Sequence, residues 1–218
     1  MIAALASSFT LVESALRSVE TSPRMVMNWS RTSGSRLSIQ STDATTTGAD
    51  TAIFYSITNC QSGLRGISFG SFLIKQVTER LAAEQATLTT FSTLSPIPGF
   101  AAWLAEHHRD IDTGDETAVV RHCANYLLTV RRRNLPQDSV ARFHLRNGAC
   151  VEQINWRGDT SAKGMTESHG LLVNYRYSGQ DISANNEALT LDGLVTASKQ
   201  VADLLNPFDA TLVRVSAN

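Results

Sequence analysis

The chain has 218 residues, 42% hydrophobic and 18% charged, with a formal net charge of −1, which is the composition of an ordinary globular protein with room for one sizeable core. The balanced charge lacks the basic excess of a nucleic-acid binder, and no apolar run reaches the length of a membrane span. Three cysteines, Cys60, Cys123 and Cys150, without a CxxC pair give neither a disulfide framework nor a zinc or redox motif, and fit a reducing compartment.

Residues 1–20 carry Leu5, Phe9, Val12, Leu16 and Val19 at the spacing of a modest helix. The start MIAALASSF lacks the basic flank of a secretory signal, and the final VSAN is no organelle address. From Thr21 to Asp50 the chain is rich in Ser and Thr with little periodicity and reads as loop, so residues 1–50 are expected to form a poorly structured segment ahead of a domain spanning 51–218. TAIFYSIT (51–58) has the β-branched and aromatic content of a strand. The loop NCQSGLRGIS follows, then a helix over 68–85 with Phe69, Phe72, Leu73, Gln76, Val77 and Leu81 on one face and Ser68 as N-cap.

Phe91–Leu94 reads as a short strand ended by the Pro96 and Pro98 turn. AAWLAEHHRD and TAVVRHCANYLLTVRRR read as helices, with Arg131, Arg132 and Arg133 in a solvated loop. VARFHLRNG and CVEQINW pair as a hairpin about the Asn147-Gly148 dipeptide. LLVNYRYS is a strand and LDGLVTASKQVADLL a closing helix. Strands and helices mixed in this order predict an α/β fold around a partly antiparallel sheet.

Gly63, Gly66 and Gly70 make the loop before the helix able to turn backbone N–H groups toward an anion at the helix N-terminus. Their spacing is neither a dinucleotide fingerprint nor a Walker loop, and a tight strand-to-helix turn accounts for it equally. Ser95, held extended by the following proline, aims its hydroxyl, which serves either the turn or a ligand. No GxSxG surrounds it. On a strand, His144 would point opposite to Phe143 and Leu145. His107, His108, His122 and His169 form no metal motif. A hydroxyl contact from Tyr177 and polar structural roles for Asn147 and Asn155 complete the reading.

The stretches AIFYSITNCQSGLRGISFGSFLIKQV, FSTLSPIPGF, SVARFHLRNGACVEQINWRGDTSAKG and LLVNYRY resemble the malonyl-CoA decarboxylase family over roughly residues 50–104 and 122–205. The resemblance implies an α/β, GNAT acetyltransferase-like mixed sheet flanked by helices. It implies substrate contacts along Arg65, Gly66, Ile67, Ser68, Phe69, Gly70 and Ser71, to which Tyr177 is added, and a catalytic pair, Ser95 and His144. The implied reaction turns malonyl-CoA into acetyl-CoA and CO₂ through an enolate that the pair stabilises and protonates. It needs no metal or separate cofactor, coenzyme A being part of the substrate. The resemblance further implies a homo-oligomer, and a cytoplasmic compartment is expected, with mitochondrial as the alternative if the Ser- and Arg-containing start is a transit peptide. The family's helical first domain has no counterpart in residues 1–50, and the stretch after Trp103 is shorter than the family's. The alternative function is therefore a non-catalytic acyl-CoA-binding remnant.

Overall fold

Two strands, β1 (Arg24–Arg31) and β2 (Leu37–Ser41), pair antiparallel, and β1 lies parallel to β3 (Thr51–Tyr55). These coordinates come from a computed structural model, which describes residues 24–31, 37–41, 50–55, 69–206 and 209–216. The expectation of loop from Thr21 to Asp50 is overturned for β1 and β2. Strand β1 is held by its ladder to β3 and β2 by its ladder to β1, long-range pairings that hydrophobic periodicity does not reveal. The predicted helix over residues 1–20, Cys60 and the glycine loop through Ser68 lie outside the described residues.

Helix α1 (Phe69–Glu84) links β3 to β4 (Thr90–Thr93) as a parallel crossover, with Val77 and Leu81 buried as their spacing predicts. The short β5 (Ser95–Pro96) comes next. Helices α2 (Phe100–His107) and α3 (Glu116–Leu128) form where expected, and Asp115 caps α3 through its side chain. The arginine run does not form a solvated loop throughout. Arg131 and Arg132 are β6, paired with β7 (Leu135–Pro136), and Arg131 donates to the Gly193 carbonyl at 3.4 Å.

The predicted hairpin at 140–156 is replaced by helix α4 (Ser139–Arg146) followed by β8 (Cys150–Asn155). Asp138 decides this, accepting from the Val140 and Ala141 N–H groups at 2.9 Å each. Ala141, His144 and Leu145 then share the buried side at helical spacing, while Phe143 faces out. Asn147-Gly148 ends the helix instead of turning a hairpin. Gly148 N–H donates to the Leu145 carbonyl and Ala149 N–H to the His144 carbonyl, with Gly148 at φ 79°.

Helix α5 (Ala162–Ser168) precedes β9 (Leu172–Tyr177), the strand expected from LLVNYRYS. The expected closing helix is divided. Helix α6 (Ile182–Leu191) ends before Gly193 at φ 70°, β10 (Val195–Ala197) enters the sheet, and the short α7 (Lys199–Ala202) starts at a Ser198 cap. Val195, Thr196 and Ala197 are all buried, the mark of a strand covered on both faces, so no helical stripe could be read there. A 3₁₀ turn (Asp209–Leu212) leads into β11 (Val213–Val215).

Apart from the separate β6–β7 ribbon, the described strands form one mixed sheet in the order β11-β10-β8-β9-β4-β3-β1-β2, with β5 also on β9. Strand β9 is its antiparallel centre, paired with β8 on one side and with β4 and β5 on the other. Ile97, Phe100, Trp103, Leu104, Tyr126, Leu127, Leu145, Val151, Val173, Tyr175 and Tyr177 belong to a single buried core between sheet and helices. The expected mixed sheet flanked by helices is thus what the chain forms.

Candidate active site

Antiparallel partners place their side chains on the same face, as do residues two apart on a strand. Ser95 lies opposite Val173 and Phe91 opposite Tyr177, so Phe91, Thr93, Ser95, Val173, Tyr175 and Tyr177 share one face. Between Ser92↔Arg176 and Ser95↔Val173 the register does not shift, yet side chains take over from main chain as bonding partners. Tyr175 N–H donates to Thr93 Oγ1 at 3.3 Å, and Asn174 Nδ2 donates to the Thr93 carbonyl at 2.6 Å. Asn155 Nδ2 donates in turn to Asn174 Oδ1 at 2.7 Å.

Helix α4 brings His144 down onto this face. His144 Nε2 is 3.2 Å from Ser95 Oγ, and Nδ1 is 2.8 Å from Tyr177 Oη. Ser95 Oγ is 3.0 Å from Thr93 Oγ1. The Tyr175 ring covers the imidazole, with centroids 4.5 Å apart and planes 18° from parallel. The Asp138 that caps α4 also accepts from Gly99 N–H at 3.4 Å, tying the helix to the turn that follows Ser95. A Cβ at position 99 would collide with Tyr126 Oη.

Ser95 and His144 are only 5% and 4% exposed. Burial holds the imidazole far below the ordinary histidine range, at about 3, so the ring is neutral at physiological pH. Burial also pushes the Tyr177 and Tyr175 phenols well up. The Asp138 carboxyl is raised too, because its desolvation outweighs the N–H groups of Ala141, Gly99 and Val140. A neutral imidazole between two hydroxyls can carry a proton on either nitrogen and hand it on, but it supplies no fixed charge.

The structure therefore brings Ser95, His144 and Tyr177 together, although on a helix and two strands instead of the anticipated hairpin. Tyr177 contacts the rear nitrogen of His144. Among the other anticipated contacts, Arg65, Gly66, Ile67 and Ser68 lie outside the described residues, and Phe69, Gly70 and Ser71 are described only as main chain in the first turn of α1. Thr93, Tyr175, Asn174 and Asp138 were not singled out from sequence. Only Asp138 carries a local signal, an acidic residue directly before a helix. His108 and His122 form a separate pair, their ring centroids 4.1 Å apart and their planes tilted by 44°. Among the described residues no group of three or more His, Cys, Asp or Glu is placed to hold a metal ion.

The profile of the malonyl-CoA decarboxylase C-terminal domain matches residues 11–122 and 112–214. The chain belongs to the malonyl-CoA decarboxylase family. The mitochondrial malonyl-CoA decarboxylase of Mus musculus is 35% identical over 202 residues, covering 72% of this chain and 41% of the mouse protein. That of Anser anser anser is 34% identical over 203 residues, with 72% and 40% covered. The crystal structure of malonyl-CoA decarboxylase from Rhodopseudomonas palustris superposes with a TM-score of 0.67 at 42% identity, covering 72% of this chain and 43% of that one. The corresponding structure from Agrobacterium vitis gives 0.67 at 44% identity, with 72% and 46% covered. The chain spans about two fifths of the length of the curated family members it matches. The aligned lengths also exceed the share of this chain they cover, so those relatives carry internal residues that this chain lacks.

Proposed function

We propose that this family member decarboxylates malonyl-CoA to acetyl-CoA and CO₂, with Ser95 and His144 as the pair that acts on the malonyl group. The observation that carries the reading is the buried contact between Ser95 Oγ and His144 Nε2, backed by Tyr177 on Nδ1. Loss of CO₂ breaks the bond between the carboxylate and the α-carbon and leaves its electron pair on the thioester as an enolate. Donors aimed at the enolate oxygen contribute about 10²–10³ in rate each, and a positioned proton source about 10²–10⁴. Ser95 is the hydrogen-bonded partner that polarises the malonyl group, and His144 is the source of the proton that reaches carbon. The stretch Arg65 to Ser71 is assigned to the coenzyme A moiety, whose phosphates suit glycine-rich backbone beside a helix N-terminus.

A mitochondrial compartment, the alternative in the sequence reading, is supported by the names of the curated relatives. Self-association is supported by β11, an edge strand among the described residues, where Val215 faces solvent and Leu212 in the turn before it is exposed as well. A second reading, acyl-CoA binding without turnover, is favoured by the internal residues that the aligned relatives have and this chain lacks.

The test is acetyl-CoA formation from malonyl-CoA by the purified chain beside Ser95→Ala and His144→Gln. Turnover that drops by about 10²-fold or more in both variants supports the decarboxylase reading. Binding of malonyl-CoA by calorimetry with no turnover in the wild type supports the second.

A further inference from the structure

Thr93, Ser95, His144 and Tyr177 stand in a row joined by three contacts of 3.0, 3.2 and 2.8 Å. With the ring neutral, each of the four side chains carries one polar hydrogen. Four hydrogens serve three bonds, so one is left over. At the near end, Thr93 Oγ1 already accepts from Tyr175 N–H, and at the far end Tyr177 Oη meets only His144 among the described residues. Thr93 and Tyr177 are 1% and 2% exposed. A surplus hydroxyl hydrogen on either would be buried without an acceptor, which is unfavourable. On Ser95 the surplus hydrogen has an acceptor once a malonyl oxygen arrives.

We infer that the row converges on Ser95: Thr93 O–H and His144 Nε2–H both donate to Ser95 Oγ, Tyr177 O–H donates to His144 Nδ1, and the Ser95 hydrogen is left for the substrate. Thr93 is then a positioning residue, which acts by occupying an acceptor site of Ser95 and so turning its hydrogen outward. The inference rests on the proposed function and gives its proton a path. As the enolate carbon takes the Ser95 hydrogen, the Nε2 hydrogen moves to Oγ and the enolate's negative charge passes to the ring. A proton from solvent, the one the overall reaction consumes, returns the ring to its neutral form.

Two measurements test this. The first is the tautomer of His144 in the substrate-free wild type, read from long-range proton–nitrogen correlations on protein labelled with ¹⁵N in the histidine ring and assigned with His144→Gln. The proton is expected on Nε2 at neutral pH. A proton on Nδ1 overturns the proposal, because Ser95 would then be donating to the ring. The second is turnover of Thr93→Val and Thr93→Ser. The valine variant is expected to lose about 10- to 100-fold in kcat with KM little changed, and serine to restore it to within a few-fold. Equal kcat for wild type and Thr93→Val also overturns it. An inactive wild type defeats the decarboxylase reading alone, since the tautomer still decides the direction of the row.

Discussion

The His144 imidazole lies flat on the Tyr175 ring at 4.5 Å while hydroxyls meet both of its nitrogens, so the ring is enclosed on a face as well as at its polar edges. This enclosure depresses its pKa from 6.5 to about 3. The unfolded chain binds a proton here below pH 6.5 and the folded chain only near 3. The stability present above pH 6.5 is therefore lost as pH falls toward 3, by about 1.4 kcal/mol per unit. Denaturant unfolding at pH 7 and pH 5 is expected to show about 2 kcal/mol more loss in the wild type than in His144→Gln. An equal loss in both would place the titration in other groups. The same neutrality predicts that kcat has no limb near pH 6.5 arising from His144.

The two tyrosines that hold this ring are expected to respond in opposite ways. Tyr177 Oη is hydrogen-bonded to Nδ1, whereas Tyr175 Oη is buried with no partner among the described residues. Removing an unpartnered buried hydroxyl leaves stability unchanged or raises it by about 1 kcal/mol, and removing a paired one lowers it by about 1–3 kcal/mol. Thermal unfolding of Tyr175→Phe and Tyr177→Phe checks the sign of each, and comparable destabilisation by both would refute the contrast.

Asp138 serves two elements at once, capping α4 with one carboxylate oxygen and accepting from Gly99 with the other. Asp138→Ala is expected to lose about 1–2 kcal/mol for the cap alone. It should also lower turnover, since it loosens His144 relative to Ser95. Asp138→Asn keeps an acceptor for the helix and should retain more of both. Chemical denaturation beside the malonyl-CoA assay tests this, and full activity in the alanine variant would show that the link does not position the pair.

Gly148 sits at φ 79°, and a Cβ there would meet the Ile182 backbone. Gly148→Ala is expected to cost about 1–2 kcal/mol for the left-handed conformation, with a further 1–3 kcal/mol for the collision. The midpoint of unfolding reads this directly. A neutral result would mean that α4 can end without its left-handed residue.

The elements that sequence shows well are those with a local signature. Helices α2 and α3 and strand β9 stand where their periodicity puts them, and Val77 and Leu81 mark the inner side of α1. Local reading fails where a pattern fits two structures. ARFHLR followed by Asn-Gly suits a hairpin as well as a helix with a left-handed stop, and only the Asp138 cap and burial of Ala141, His144 and Leu145 separate them. VTA is too short to show a period and becomes a strand because β8 and β11 lie on either side. The pairing of Ser95 with His144 was foreseen from the family motifs alone. Thr93 and Tyr175 depend on the register of β4 and β5 against β9, a long-range property that leaves no mark in either stretch by itself.

The hydrogen bond between Gly99 and Asp138 brings the chain back to the point it left, so α2, α3 and the β6–β7 ribbon form an excursion with both feet on one spot. Phe100, Trp103 and Leu104 of α2 and Tyr126, Leu127 and Leu128 of α3 fill the core on the way round, so the excursion works as a clamp that closes on the same place as the Ser95–His144 pair.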